Sequence, residues 1–344
     1  MYKSKSDLEK VLALSESEKA WSEDIPHLPV LISDEVMALI DKYDQNDPIR
    51  RQFVPSKEEQ GDYLGSLDPL EEIKHSKSER FIHRYENRAA LLVTDQCFAY
   101  CRHCFRRRFT GHEIGAVTRH ELEEICKYLE KHTEIEEILL TGGDLFVLSD
   151  RKLEEVIGML KETRPDIILR LCTRALLSHP RRFTDELFRV FERHNTGAPY
   201  YLMTQFNHPR EITKESVEIV SKFLSLGIIA FNQSVLLKGV NDSVEVQVEL
   251  ARKLLVNRIK PYYLFQGDLV NGTSHLRVDV KKGLEMEKEM RKRLSGLEMP
   301  MYTIDLPEGG GKAILTHNYL AGEDENNWIF DSPYGGKRAY PKIN

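Results

Sequence analysis

Long apolar runs are missing. No stretch of 18 or more apolar residues occurs in the 344-residue chain, so no membrane span is expected. An excess of one charge is missing too. Lys plus Arg number 49 against 55 Asp plus Glu, a formal net charge of −6, so nucleic acid is not expected as a main ligand. The opening run MYKSKSDLEKVLALSESEKAW is charged throughout and has no apolar centre, which speaks against a secretory signal peptide and for a cytoplasmic protein. Cysteine is scarce: five residues, an odd number, with three crowded into one loop. That excludes a disulfide framework and argues for a reducing compartment with metal or redox chemistry. No internal repeat is visible. What is present, 41% hydrophobic and 30% charged residues, is ordinary globular composition with ample material for a core.

Residues 1 to about 80 are polar and helix-prone and read as an N-terminal helical extension. From about residue 89 apolar runs alternate with amphipathic helical patterns. The runs are AALLVT (89–94), EILLT (137–141), IILRLCT (167–173), YYLMT (200–204), IIAFNQ (228–233), PYYLFQ (261–266) and MYTID (301–305). This rhythm predicts an α/β fold of six parallel βα units with a seventh strand. Each run ends in a polar or glycine-rich turn: DQCFAYCRHC, TGGD, TR, QFNHP, NQS, QGD, DLPEGGGK. Chemistry at the carboxyl ends of successive strands is the layout of a TIM-like barrel, here a partial (β/α)6-type one over residues 81–320. Residues 321–344, rich in Asp, Asn, Gly, Pro and Lys, are a C-terminal tail that covers the barrel or hangs free.

The densest chemistry is C-x3-C-x2-C at Cys97, Cys101 and Cys104, with Arg106, Arg107 and Arg108 behind it. Tetrahedral zinc would want a fourth ligand. The other two thiols, Cys126 in a helical pattern and Cys172 in a strand pattern, read as core residues. Three thiolates without a fourth suit a 4Fe–4S cluster with one open iron.

These motifs together resemble the lysine 2,3-aminomutase family of the radical S-adenosylmethionine (SAM) superfamily. DQCFAYCRHCFRRRFTG, LLTGGDLFVLSD, QFNHPREIT, NQSVLLKGVND, PYYLFQGDL and DLPEGGGK carry the resemblance, in order, from about Leu28 to about Leu320. It implies a radical SAM barrel whose cluster is held by Cys97, Cys101 and Cys104, with SAM on the fourth iron. Thr141, Gly142, Gly143 and Asp144 match the turn that contacts SAM, and Gln233 a further cofactor contact. Read alone, that turn is a strand-to-helix connection capped by Asp144. A second cofactor, pyridoxal 5′-phosphate (PLP), is implied on Lys312, with Arg84 and Arg88 of HRYENR on an anionic group, its phosphate or a carboxylate, and Tyr85 stacked on a ring. Arg106 matches the residue that holds the substrate carboxylate, and Asp268 and Asp305 the pair that grips the distal ammonium of lysine. Two converging carboxylates are costly unless a cation sits between them.

The implied activity is an isomerase, moving the amino group of L-lysine from C2 to C3. The implied partners are the amino acid, an electron donor such as flavodoxin or ferredoxin, and further copies of the chain. The same chemistry on arginine or glutamate, and supply of β-lysine for modification of elongation factor P, are alternatives. A non-catalytic iron–sulfur or zinc module is another. Two departures stand out. Ser243 occupies the place of a zinc-ligating cysteine of the longer enzymes, and no cysteine follows Cys172, so no zinc is expected. Gln205 stands where the longer enzymes carry histidine.

Overall fold

The computed structural model describes residues 1–25 and 28–343. Its main sheet has ten strands, hydrogen-bonded in chain order. They are β1 (Ser76–Ser78), β2 (Phe81–Tyr85), β3 (Arg88–Thr94), β4 (Glu137–Gly142), β5 (Ile168–Thr173), β6 (Tyr200–Thr204), β7 (Ile229–Leu236), β8 (Ile259–Gln266), β9 (Met301–Leu306) and β10 (Gly311–Ile314). From β3 to β9 every pairing is parallel. The helices Arg119–Lys131, Asp150–Thr163, Asp185–Arg193, Lys214–Ser225, Val244–Val256 and Val280–Arg291 fill the six crossovers.

Local chemistry explains these boundaries. Each crossover helix starts behind a side-chain cap: Thr118, Ser149, Thr184, Thr213, Ser243 and Asp279 each accept a hydrogen bond from a first-turn amide. Ser243 therefore has a structural task. Along the strands, alternate residues face opposite ways. Leu91, Val93, Ile138, Leu140, Leu169, Leu171, Leu202 and Ala230 are fully buried and join the helix faces in one large core. Their neighbours, among them Thr141, Arg170, Cys172, Met203, Gln233 and Tyr263, face the lumen and line its cavity.

The barrel does not close by hydrogen bonds. Antiparallel strands β2 and β1 extend one edge and antiparallel β10 the other. Side chains bridge the gap: Arg84 Nη1 of β2 lies 3.7 Å from Asp305 Oδ1 of β9. Among the described residues the N-terminal extension has short helices of three to six residues, and its end, from Ser76, enters the sheet. It is strapped to the barrel by buried polar pairs, Arg102 with Glu59 at 2.5 Å and Gln52 Nε2 with Glu211 at 2.5 Å. The last residues form a separate antiparallel sheet, β11 (Leu320–Glu323), β12 (Asn327–Asp331) and β13 (Lys337–Pro341). Among the described residues no helix is long and apolar enough to cross a membrane.

Candidate functional site

A cavity of about 450 Å³ occupies the lumen. Its lining brings together the residues to which the resemblance gave cluster, cofactor or substrate roles: Cys97, Cys101, Cys104, Arg106, Thr141, Gly142, Gly143, Asp144, Gln233, Asp268, Asp305, Lys312, Arg84, Tyr85 and Arg88. These residues come from β2, β3, β4, β7, β9 and β10 and the loops between strands, so the fold itself assembles the site.

The cysteine loop leaves β3 and folds against the TGGD turn after β4. The two glycines serve that contact. Gly142 has φ +108°, and a Cβ there would stand 2.5 Å from the carbonyl oxygen of Thr94. A Cβ on Gly143 would stand 2.1 Å from the carbonyl oxygen of Gln96, one residue before the first cysteine. The glycines thus let the loop backbone, not only a ligand, come close. Asp144 is 5% exposed and is taken up by protein donors. Its carboxylate accepts from Phe146 N at 3.0 Å, Thr173 Oγ1 at 2.9 Å and Arg174 N at 2.7 Å. The cap reading of Asp144 therefore describes its geometry, although the residue also borders the cavity.

Burial raises the thiol pKa of Cys97 strongly, with Asp144 and the other two cysteines adding to it, and burial also raises that of Cys101. Cys97 and Cys101 need a cation nearby to become thiolate. The protein supplies one: Arg174 Nη1 lies 2.8 Å from Cys101 Sγ. The same guanidinium donates to Gln205 O, Gln52 Oε1 and Glu211 Oε2 at 3.0–3.1 Å and stacks over Phe53. Three soft ligands with a guanidinium against one sulfur fit an iron–sulfur cluster better than a bare divalent ion. His103, buried between the second and third cysteines, is held neutral by burial. Its Nε2 lies 3.3 Å from the side-chain amides of Gln205 and Asn207, so Gln205 faces the cluster loop as an amide donor.

Arg106 is 9% exposed and does not stand free. Its Nε and Nη2 edge grips Glu72 from the N-terminal extension, Nη2 to Oε1 at 2.5 Å, and Nη1 donates to Thr141 Oγ1 at 3.1 Å. Arg108 donates to the other oxygen of Glu72 at 3.0 Å. A carboxylate on one edge fixes the guanidinium plane and leaves the end facing the cavity for a second anion.

At the seam between the sheet edges, Lys312 Nζ forms an ion pair with Asp305. The two residues are directly opposite in the β9–β10 register. The glycine-rich segment is the hairpin turn that creates this register: Glu308, Gly309 and Gly311 have φ +55°, +74° and +81°. Asp268 stands in the same electrostatic field. Burial first, then Asp305, raises its pKa to about 7, while Lys312 and Arg106 oppose the shift. Arg84 has an 8% exposed side chain, and its Nε and Nη2 have no hydrogen-bond partner among the described residues; nor does Tyr85 Oη. Orphaned buried donors of this kind fit a missing phosphate, so the residues present fit PLP. Arg88 stacks over Tyr85, its guanidinium carbon 3.9 Å from the ring centroid.

The sequence reading missed Glu72, Arg174 and Arg170. Arg170 lies inside the apolar run IILRLCT and pairs with Glu137 of the neighbouring strand β4; a charge at an inward position of a strand was its signal. Arg174 sits in the short TR turn. Glu72 had no signal, because its partner lies 34 residues away. Cys172 corrects an expectation. It faces the cavity rather than the apolar core, and burial raises its thiol pKa to about 12. Cys126 is buried on its helix as expected.

A family model described as a 4Fe-4S single cluster domain matches residues 87–177, the span that holds the three cysteines and both glycines. The chain is 37% identical over 325 residues to the L-lysine 2,3-aminomutase of Clostridium subterminale, covering 94% of this chain and 77% of that one. It is 36% identical to the Bacillus subtilis enzyme of the same name, covering 98% and 71%. It is also 37% identical to the glutamate 2,3-aminomutase of Clostridioides difficile, covering 91% and 74%. Among solved structures, a radical SAM methyltransferase from Sphaerobacter thermophilus superposes with a TM-score of 0.48 at 17% identity, over 65% of this chain and 68% of that one. With that identity spread over nearly the whole chain and the motif residues gathered around one lumen, the chain belongs to the lysine 2,3-aminomutase family and is an isomerase.

Proposed function

We propose that the protein converts L-lysine to β-lysine by a 2,3-amino shift, using a 4Fe–4S cluster, SAM and PLP, with electrons from a small carrier of the flavodoxin or ferredoxin type. The observation that carries the lysine preference is the pair Asp268 and Asp305 in one buried cavity, with a lysine side chain already against Asp305. A glutamate substrate would bring its distal carboxylate to the same two groups and be repelled, so the glutamate-acting relative does not supply the favoured reading.

The protein's own part is placement. Cys97, Cys101 and Cys104 would hold the cluster, Arg174 would keep Cys101 in a cationic setting, and the backbone of Thr141–Gly143 would border SAM. Arg84, Tyr85 and Arg88 would take the phosphate and ring of PLP, and Lys312 its carbonyl. When bound, these groups supply the radical that takes a hydrogen from the substrate and the conjugated system that carries its nitrogen. Arg106, set by Glu72, orients the α-carboxylate, and Asp268 with Asp305 fixes the far ammonium. Two anchored ends leave the C2–C3 bond one position in the lumen. The lumen wall, closed at the seam by Arg84 and Asp305, keeps water from a reactive carbon.

The test is anaerobic reconstitution with iron, sulfide and PLP, followed by SAM, reductant and L-lysine, with products separated by chiral mass spectrometry. β-Lysine is expected. 5′-Deoxyadenosine without β-lysine would keep the radical chemistry and discard lysine, sending the search to arginine and glutamate.

A further inference from the structure

The lysine reading gives Asp305 and Asp268 to the substrate's distal ammonium. In the coenzyme-free protein that seat already has an occupant of the same chemistry. Lys312 carries a primary ammonium on a four-carbon stem, as the substrate does, and its Nζ pairs with Asp305. The side chain of Asp305 is 5% exposed and that of Lys312 29%, and both line the cavity. The antiparallel register places the two residues opposite one another, which makes the contact a property of the hairpin and not of a loose side chain. Lys312 Nζ also lies 5.1 Å from the centre of the Phe265 ring, a second contact suited to a cation.

We infer that Lys312 is an internal stand-in for the substrate ammonium: while its own ammonium sits on Asp305, the cavity cannot read the distal amine of a free lysine. Lysine recognition then begins only when the Lys312 ammonium is withdrawn from Asp305, so the residue that receives the coenzyme also controls access to the specificity pair. This rests on the proposed lysine preference and adds a specificity-controlling role for Lys312 that is independent of chemistry.

The experiment is calorimetric titration of the coenzyme-free, cluster-loaded protein with L-lysine, and with L-norleucine as a probe of similar shape lacking the ammonium. Wild type is expected to bind the two with equal, weak affinity. Lys312→Ala is expected to gain at least about tenfold for L-lysine and nothing for L-norleucine, the scale of one charge-assisted contact. Lys312→Arg, which restores a cation, is expected to lose that gain, and Asp305→Asn in the Lys312→Ala background to abolish it. Tighter binding of L-lysine than of L-norleucine, equal in wild type and Lys312→Ala, would overturn self-occupancy and leave the lysine preference standing. No preference for L-lysine in either protein would overturn both.

Discussion

At the scale of single residues, Asp268 is the group with the most to report. Its pKa is raised to about 7 from 3.8, by burial and then by Asp305. A raised carboxyl favours the folded state in its protonated form. Its contribution is therefore complete below about pH 4 and is lost as pH rises toward 7. In the coenzyme-free protein, Asp268→Asn should remove that loss. The variant should melt close to wild type at pH 4 and above it at pH 8; parallel melting curves across that window would contradict the shift. The same group makes lysine binding pH-dependent with the opposite sense. A cation prefers the ionised form, so affinity for lysine in the loaded protein should climb between pH 6 and pH 8 and level off above.

Glu72 gives a second residue-scale prediction. It holds the Nε and Nη2 edge of Arg106 and also meets Arg108. Glu72→Gln keeps a hydrogen-bonding group of the same size but removes the charge that fixes the guanidinium. The expected result is a KM for the amino acid raised about tenfold with kcat changed much less, as for lost ground-state anchoring. A fall in kcat with KM unchanged would show instead that Glu72 acts on the chemistry.

At the scale of elements, the βα rhythm was legible because each strand is a short apolar run and each helix an amphipathic repeat with a Ser, Thr or Asp cap ahead of it. All seven parallel strands fall on runs readable from the chain. The strands that were not legible lack that signature. β1 reads SKS, β10 reads GKAI, and both are edge strands with one polar side. The β11–β13 sheet is exposed along most of its length, so no apolar period marks it. The TGGD turn was legible as a motif but not in its cause. Its glycines answer to the carbonyls of Thr94 and Gln96, a contact between two loops about 48 residues apart that no local pattern displays. Gly143→Ala would place a methyl 2.1 Å from Gln96 O, and neither backbone can yield without moving Cys97. The variant should bind less than half the wild-type iron and sulfide after reconstitution, with the 4Fe–4S absorption band reduced to match. Full iron content would mean that the cysteine loop can shift without losing its ligand geometry.

At the scale of the whole molecule, the site depends on a strap that the sequence reading treated as an appendage. Arg102, between the second and third cysteines, has a fully buried side chain. It forks onto Glu59 with Nε at 2.8 Å and Nη2 at 2.5 Å, and its Nη1 donates to Leu28 O and Pro29 O at 3.0 Å. Arg107 reaches the same carboxylate at 3.2 Å. Further along the extension Gln52 bonds Glu211, and both touch Arg174 beside Cys101. The cluster loop is thus clamped between extension and barrel. These partners are separated by 37 to 159 residues, which is why composition and periodicity could not reveal them. Glu59→Ala leaves two buried guanidinium groups without their counter-charge, a change of about 3–5 kcal/mol for a broken buried pair. The two ways of losing that energy differ in what is seen. If extension and barrel unfold together, denaturant unfolding stays a single transition with the midpoint lowered and the slope unchanged. If the strap releases alone, an early, shallow transition appears, residues 97–108 become open to protease, and iron is lost before the barrel melts. Because the buried pairs run through the cysteine loop itself and the sheet begins inside the extension at Ser76, the single transition is the expected result. A wild-type iron content after the early transition would show that the clamp holds the extension and not the cluster.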